Sequence, residues 1–186
     1  MAMTRTISAL TAAVTCVGVC AGPAAASTAN TSKATQVCGK VSASSVSSIV
    51  GYSVPAGVGI SLRAPATKEN DYISGTTIDC TFGASKSLAT IKKSVNLDIE
   101  TVSKSVNASE LKKLVDKQQS TTGLKVKIVP YPGLGSESFL MSFSEGGITA
   151  ETLVTAESGT HLVGATVESK LSVSKLASLV KLAEKL

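Results

Sequence analysis

The hydrophobic pattern of the chain switches between two periods, and the switches mark its elements. Val46, Ile49 and Val50 recur at helical spacing behind serines that can cap. Gly51 follows as a left-handed C′ residue, so a short helix is predicted over about 42–50. A Pro- and Gly-rich stretch runs from Tyr52 to Tyr72, with a short strand expected over Val58–Arg63. Ile78, Cys80 and Phe82 then alternate along a strand, which turns the Cys80 thiol inward with two core residues. Val95, Leu97 and Ile99 alternate with Asn96, Asp98 and Glu100, predicting a half-buried strand with one wet face.

The strongest helix signal follows. Asn107 and Glu110 stand at the N-cap and N3 positions of a capping box, with Val106 and Leu111 as its hydrophobic staple. Leu111, Leu114, Val115 and Gln118 form the inward stripe, Lys112, Lys113, Asp116 and Lys117 the outer face, and Gly123 ends the helix. Leu124, Val126 and Ile128 alternate until Pro130-Tyr131-Pro132-Gly133 interrupts them. From Ser136 three strands come in quick succession, divided by Glu145-Gly146-Gly147 and Glu157-Ser158-Gly159, as an antiparallel meander. A closing helix from about Ser172 turns Val173, Leu176, Leu179, Val180, Ala183 and Leu186 inward and Lys175, Lys181 and Lys185 outward. Each half runs strands and then a helix, without a residue-level repeat. The expected fold is α+β, a single domain with an antiparallel sheet, a C-terminal meander and about three helices packed on it.

The N-terminus changes this picture of a plain folded domain. Arg5 is the only charge before an apolar run from Ile7 to Val19, too short for a bilayer anchor. Pro23 and Ala24-Ala25-Ala26 follow, so residues 1–26 read as a secretory signal peptide cleaved between Ala26 and Ser27, with a second possible site at Ser27-Thr28-Ala29. Residues 27–37 read as a flexible linker of Ser, Thr, Ala and Asn, and 38–186 as the exported domain. A lipobox wants a small residue before its cysteine, and the branched Val19 argues against lipidation at Cys20. Cys16 and Cys20 leave with the leader. Cys38 and Cys80 remain, and one pair predicts one disulfide.

Composition narrows the function classes. All thirteen acidic and seventeen of the eighteen basic residues lie beyond the leader, a net charge of +4. The lysines are scattered, which argues against nucleic acid as a partner while allowing weak attraction to an anionic cell-wall polymer. With no Trp and six Phe and Tyr in all, the stacked aromatic faces of carbohydrate and single-strand binders are not provided for. No transmembrane segment is expected in the mature chain. Asn30-Thr31-Ser32 and Asn107-Ala108-Ser109 match the N-glycosylation pattern, relevant only in a eukaryotic secretory pathway.

Candidate chemistry is sparse. His161 is the sole histidine, and a triad would need it beside a hydroxyl and a carboxylate that no motif supplies. Ser172-Val173-Ser174-Lys175 matches the S-x-x-K pairing of penicillin-recognising enzymes, without companion motifs, and reads better as a helix N-cap. Gly133-Leu134-Gly135 lacks the third glycine of a dinucleotide loop and precedes a strand, so it reads as a turn. One histidine and a disulfide leave no transition-metal cluster, and no EF-hand loop is present. Asp98 and Glu100 share a strand face and read as a solvated edge rather than an acid–base pair. No catalytic, metal-ligating or cofactor-binding residue is predicted, and no cofactor.

Cys38, the short helix ending at Val50-Gly51, Cys80-Thr81-Phe82, Gly133-Leu134-Gly135-Ser136-Glu137-Ser138-Phe139 and the closing helix together resemble a group of small exported actinobacterial domains of unknown function, many of them lipoproteins. The chain departs from that group in lacking a lipobox, and in Ser136, where an acidic residue often follows the second glycine. The resemblance implies an exported fold and no catalytic residues. The expected function is a secreted binding or interaction module of the cell envelope or extracellular space, without catalytic activity, its partner open. The alternatives are a small-molecule or lipid carrier with an internal apolar pocket, and more remotely a hydrolase using His161.

Overall fold

The structure is a computed structural model. It describes residues 31–66, 73–83, 92–107, 109–110, 112–113, 116, 126–135, 137–145, 148–156 and 159–186. The expected signal peptide, Cys16, Cys20, the expected Ala26–Ser27 cleavage site, Leu111, Leu114, Val115, Gln118, Gly123 and Ser136 lie outside the described residues.

Helix α1 (Thr31–Cys38) and helix α2 (Ala43–Val50) lead into strands β1 (Val58–Ala64), β2 (Gly75–Phe82) and β3 (Val95–Val102). Strands β4 (Val126–Pro130), β5 (Ser138–Glu145), β6 (Ile148–Ala156) and β7 (His161–Val167) precede helix α3 (Val173–Ala183). The seven strands form one antiparallel sheet in the order β1-β2-β3-β7-β6-β5-β4. Two meanders, β1 to β3 and β4 to β7, therefore meet where β3 pairs with β7. With these helices, named among the described residues, the chain is a single α+β domain.

The register assigns each side chain to a face, because side chains alternate along every strand. On the first face Phe82, Cys80 and Ile78 of β2 stand opposite Val95, Leu97 and Ile99 of β3, which stand opposite Val167, Ala165 and Val163 of β7. Leu153 of β6 extends the row. The three helices cover this face, and Val46, Leu97, Leu153, Leu176, Leu179 and Val180 fill it as one buried cluster. Local signals bound α2 as expected. The Ser42 side chain accepts from the Ser45 N–H at 3.1 Å, and Gly51 closes α2 at φ 87°. Ser172 takes the N-cap position of α3, although its hydroxyl pairs with that of Ser174 rather than with a helix N–H. Instead Glu151, reaching from β6, accepts the Leu171 N–H at 2.9 Å and so fixes the entry to α3. The capping box forms reciprocally, Glu110 N–H to Asn107 at 2.9 Å and Asn107 N–H to Glu110 at 3.1 Å, and the backbone is helical at the described positions from Ser109 to Asp116.

The expected linker needs correction. From Thr31 the chain is helical, and α1 rests on the sheet instead of leading loosely to it. Ala34 lies against Gly59 of β1, where a Cβ would come within 2.3 Å of the Ala34 backbone. The Thr35 hydroxyl accepts the Gly59 N–H at 3.2 Å and faces its carbonyl at 3.4 Å. Small and hydroxyl residues, which read as uncommitted in sequence, are what permits this close approach. Cys38, the last residue of α1, is bonded to Cys80 in the middle of β2, with Cα atoms 5.4 Å apart. The bridge lies within the helix-covered core.

Candidate functional site

The second face is unlike the first. Towards β4 and β5 it is apolar, where Phe139, Met141, Val154 and Leu162 cluster with Ile73, Val102 and Val106. Across β2, β3 and β7 it turns polar. Thr81, Asp79 and Thr77 stand opposite Asn96, Asp98 and Glu100, and these stand opposite Thr166, Gly164 and Leu162. Thr152 of β6 meets Thr166 through hydroxyls 3.0 Å apart.

These polar side chains are not wet. Relative exposure is 6% for Asp79, 1% for Asn96, 4% for Asp98 and 3% for Glu100. This corrects the expected solvated edge at Asp98 and Glu100, because β3 is the third of seven strands and is buried on both faces. Polar alternation reports which face a residue is on. Whether that face meets water depends on what lies over it.

Four oxygens here, Asp79 Oδ1, Asn96 Oδ1, Asp98 Oδ1 and Glu100 Oε1, are buried without a hydrogen-bond partner. Orphan acceptors are uncommon in folded proteins, since desolvating one without replacing its bonds to water costs about 1–3 kcal/mol. Burial also disfavours the ionised acids. It pushes the Asp79 carboxyl up to about 6 despite a hydrogen bond from the Thr81 side chain. It pushes Glu100 up to about 8. Asp98 is raised well above the ordinary range, first by burial and then by the neighbouring charges of Asp79 and Glu100.

Gly164 makes room for the central acid. A Cβ at this position would stand 2.6 Å from Asp98 Oδ2 and 2.9 Å from Oδ1, so the carboxyl lies over the bare backbone of β7. Gly164→Ala is expected to destabilise the domain by about 1–3 kcal/mol through overpacking. Combined with Asp98→Ala its cost should fall sharply, as measured by chemical denaturation of the two single variants and the pair; additive costs would show that the contact does not matter.

The arrangement is rich in acceptors and contains no partnering cation among the described residues of its own face. Among the described residues, no group of three His, Cys, Asp or Glu side chains is placed to hold a metal ion. The other candidates resolve differently. His161 is exposed at the start of β7, where its Nε2 meets the Thr101 hydroxyl at 3.5 Å. It belongs to the helix-side face by register, so the sheet separates it from Asp98 and Glu100. Lys175 is exposed and joined to Ser172 through the backbone of the first turn, as in any helix start. Gly133-Leu134-Gly135 is a turn, with Gly135 N–H bonded to the Pro132 carbonyl at 3.1 Å and Leu134 packed against the core. Asp79 and Asn96 had no motif to announce them. The signal available in sequence was the small-residue company on the same face, namely Thr77, Thr152, Gly164 and Thr166.

Among the described residues no helix is long and apolar enough to cross a membrane. No protein-family model matches this chain, and no match was found among curated proteins or among solved structures.

Proposed function

We propose that this chain is an exported binding module of the cell envelope or extracellular space, acting without catalysis, and that its recognition groups are the buried acceptors of β2 and β3. The observation that carries the reading is the set of four unpartnered oxygens on one face. A domain that served only to fold would gain by replacing them with apolar side chains. A ligand that brings donors restores the missing bonds, which makes the same groups useful.

Export is supported by the leader-like N-terminus and by a disulfide at the heart of the core, since such bridges persist in oxidising compartments. The reading is favoured over an apolar carrier by the side chains that pack the helix-covered face as one buried cluster among the described residues. It also differs from docking through an apolar surface. Among the described residues the large exposed hydrophobics are Val58 at 59% and Val129 at 41%, on strands at opposite edges of the sheet.

Native mass spectrometry of protein purified gently from its own host is the direct test. A discrete adduct is expected, lost on denaturation and absent from the Asp98→Asn, Glu100→Gln double variant. Bare polypeptide mass in repeated preparations would overturn the proposal.

A further inference from the structure

The acceptors on the second face are arranged in rows as well as gathered. Asn96, Asp98 and Glu100 point to the same side of β3 at every second residue, a spacing of about 7 Å. Asp79 stands directly across from Asp98 on β2, one strand spacing of about 4.8 Å away. Three rows of orphan oxygens thus lie along one strand, ending on Asn96 and on Glu100 with the two aspartates between them.

Asn96 is informative in its own right. Protonation can relieve a buried carboxyl, but an amide oxygen takes no proton at ordinary pH, and only a donor from elsewhere satisfies it. The described side chains around the rows offer no cation. On this face β1 presents Ile60 and Leu62, β7 presents Leu162, Gly164 and Thr166, and β6 presents Thr152 and Val154. A metal ion would need oxygens converging to about 2.0–2.6 Å, and the described acids do not gather that way. Separate rows instead suit a ligand whose N–H groups are themselves spaced apart.

We infer that the second face takes a linear organic cation, a diamine or an amine–guanidine, lying along β3 with its nitrogens on successive rows. This rests on the binding reading above and names the ligand class. Where an acid is still protonated, its carboxyl O–H bond ionises on entry and the proton leaves to solvent, and the ligand's N⁺–H groups donate to the carboxylates. No other bond changes. The acceptor atoms are closed to solvent, so the apparent affinity is lowered by the fraction of molecules in which they are accessible.

Thermal melting of the mature wild-type protein with millimolar putrescine or agmatine tests this. Controls are the neutral diol of the same length, calcium chloride, and sodium chloride at matched ionic strength. At about pH 8.5 the amines should raise the midpoint by about 5 °C or more, and by clearly less at about pH 5.5, where the protons compete. The Asp98→Asn, Glu100→Gln double variant keeps the shape of the site and should lose the shift. An equal shift in that variant, an equal shift at both pH values, or none at either would overturn the inference. A shift with the diol equal to that with the amines would also overturn it, while leaving the binding module standing. A neutral adduct in native mass spectrometry would separate the two readings in the same way.

Discussion

Raising the pH from about 5 to about 9 is expected to destabilise this protein, the reverse of common acid denaturation. The cause is the buried acids of the second face. An ordinary carboxyl in the unfolded chain loses its proton near pH 4, whereas burial holds Asp79 to about 6 and Glu100 to about 8. Below pH 4 both states are protonated and these groups impose no difference. Between about 4 and 8 the unfolded state has released protons that the folded state still binds, so each added pH unit favours unfolding. Above about 8 the contribution of Glu100 levels off. Holding Asp79 at about 6 costs the folded state about 3 kcal/mol at high pH, and Glu100 adds more. In a domain this size each kcal/mol moves the midpoint by about 2–4 °C, so Asp79 alone accounts for roughly 6–12 °C. Calorimetric melts across this range should show the fall, and Asp98→Asn with Glu100→Gln should flatten most of it. A midpoint that is constant or rising from pH 5 to pH 8 would show that these acids are hydrated or paired with donors.

Removing the disulfide ranks next in expected effect. Cys38 and Cys80 lie 42 residues apart, and α2 and β1 fall inside the loop they close. Chain-entropy estimates put the stabilisation from such a loop at about 4 kcal/mol. At about 2–4 °C per kcal/mol, the double variant Cys38→Ser, Cys80→Ser should melt about 8–16 °C below wild type. Both sulfurs are buried, so serine also places hydroxyls in the core. The corresponding pair of alanine substitutions, compared with reduced wild type, separates that cost from the loss of the cross-link. The diamine response of the surviving folded state should be unchanged, because the bridge serves the opposite face of the sheet. Equal melting of oxidised wild type and both double variants would show the bridge to be dispensable.

What could be read in the sequence was whatever is decided locally. Ser42 and Gly51 fix α2 by the bonds of their own turn, Asn107 and Glu110 form their box across three residues, and Leu176, Leu179 and Val180 mark the buried side of α3 by spacing alone. The Cys38–Cys80 pair was legible because it is what the expected leader would leave behind. Helix α1 was not, because its residues have little preference of their own and Ala34 is buried only by meeting Gly59, far along the chain. The acidic face was misread for a related reason. Asn96, Asp98 and Glu100 were correctly set against Val95, Leu97 and Ile99, but the order of the strands puts β3 in the interior of the sheet, and pairing with β7 is a long-range event. The site itself arises only when β2 and β3 bring Asp79 to Asp98.

The contact of Thr35 with Gly59 also limits how this protein can self-associate. At Gly59 the outward N–H and carbonyl of β1 are already engaged by the Thr35 hydroxyl of α1, so that border of the sheet is occupied at this position from within the chain. The opposite border is β4, a strand of five residues that ends in Pro130, which has no N–H to offer. Both described borders of the sheet thus carry a feature that blunts strand addition, and pairing of a second strand at Gly59 would first require α1 to come away.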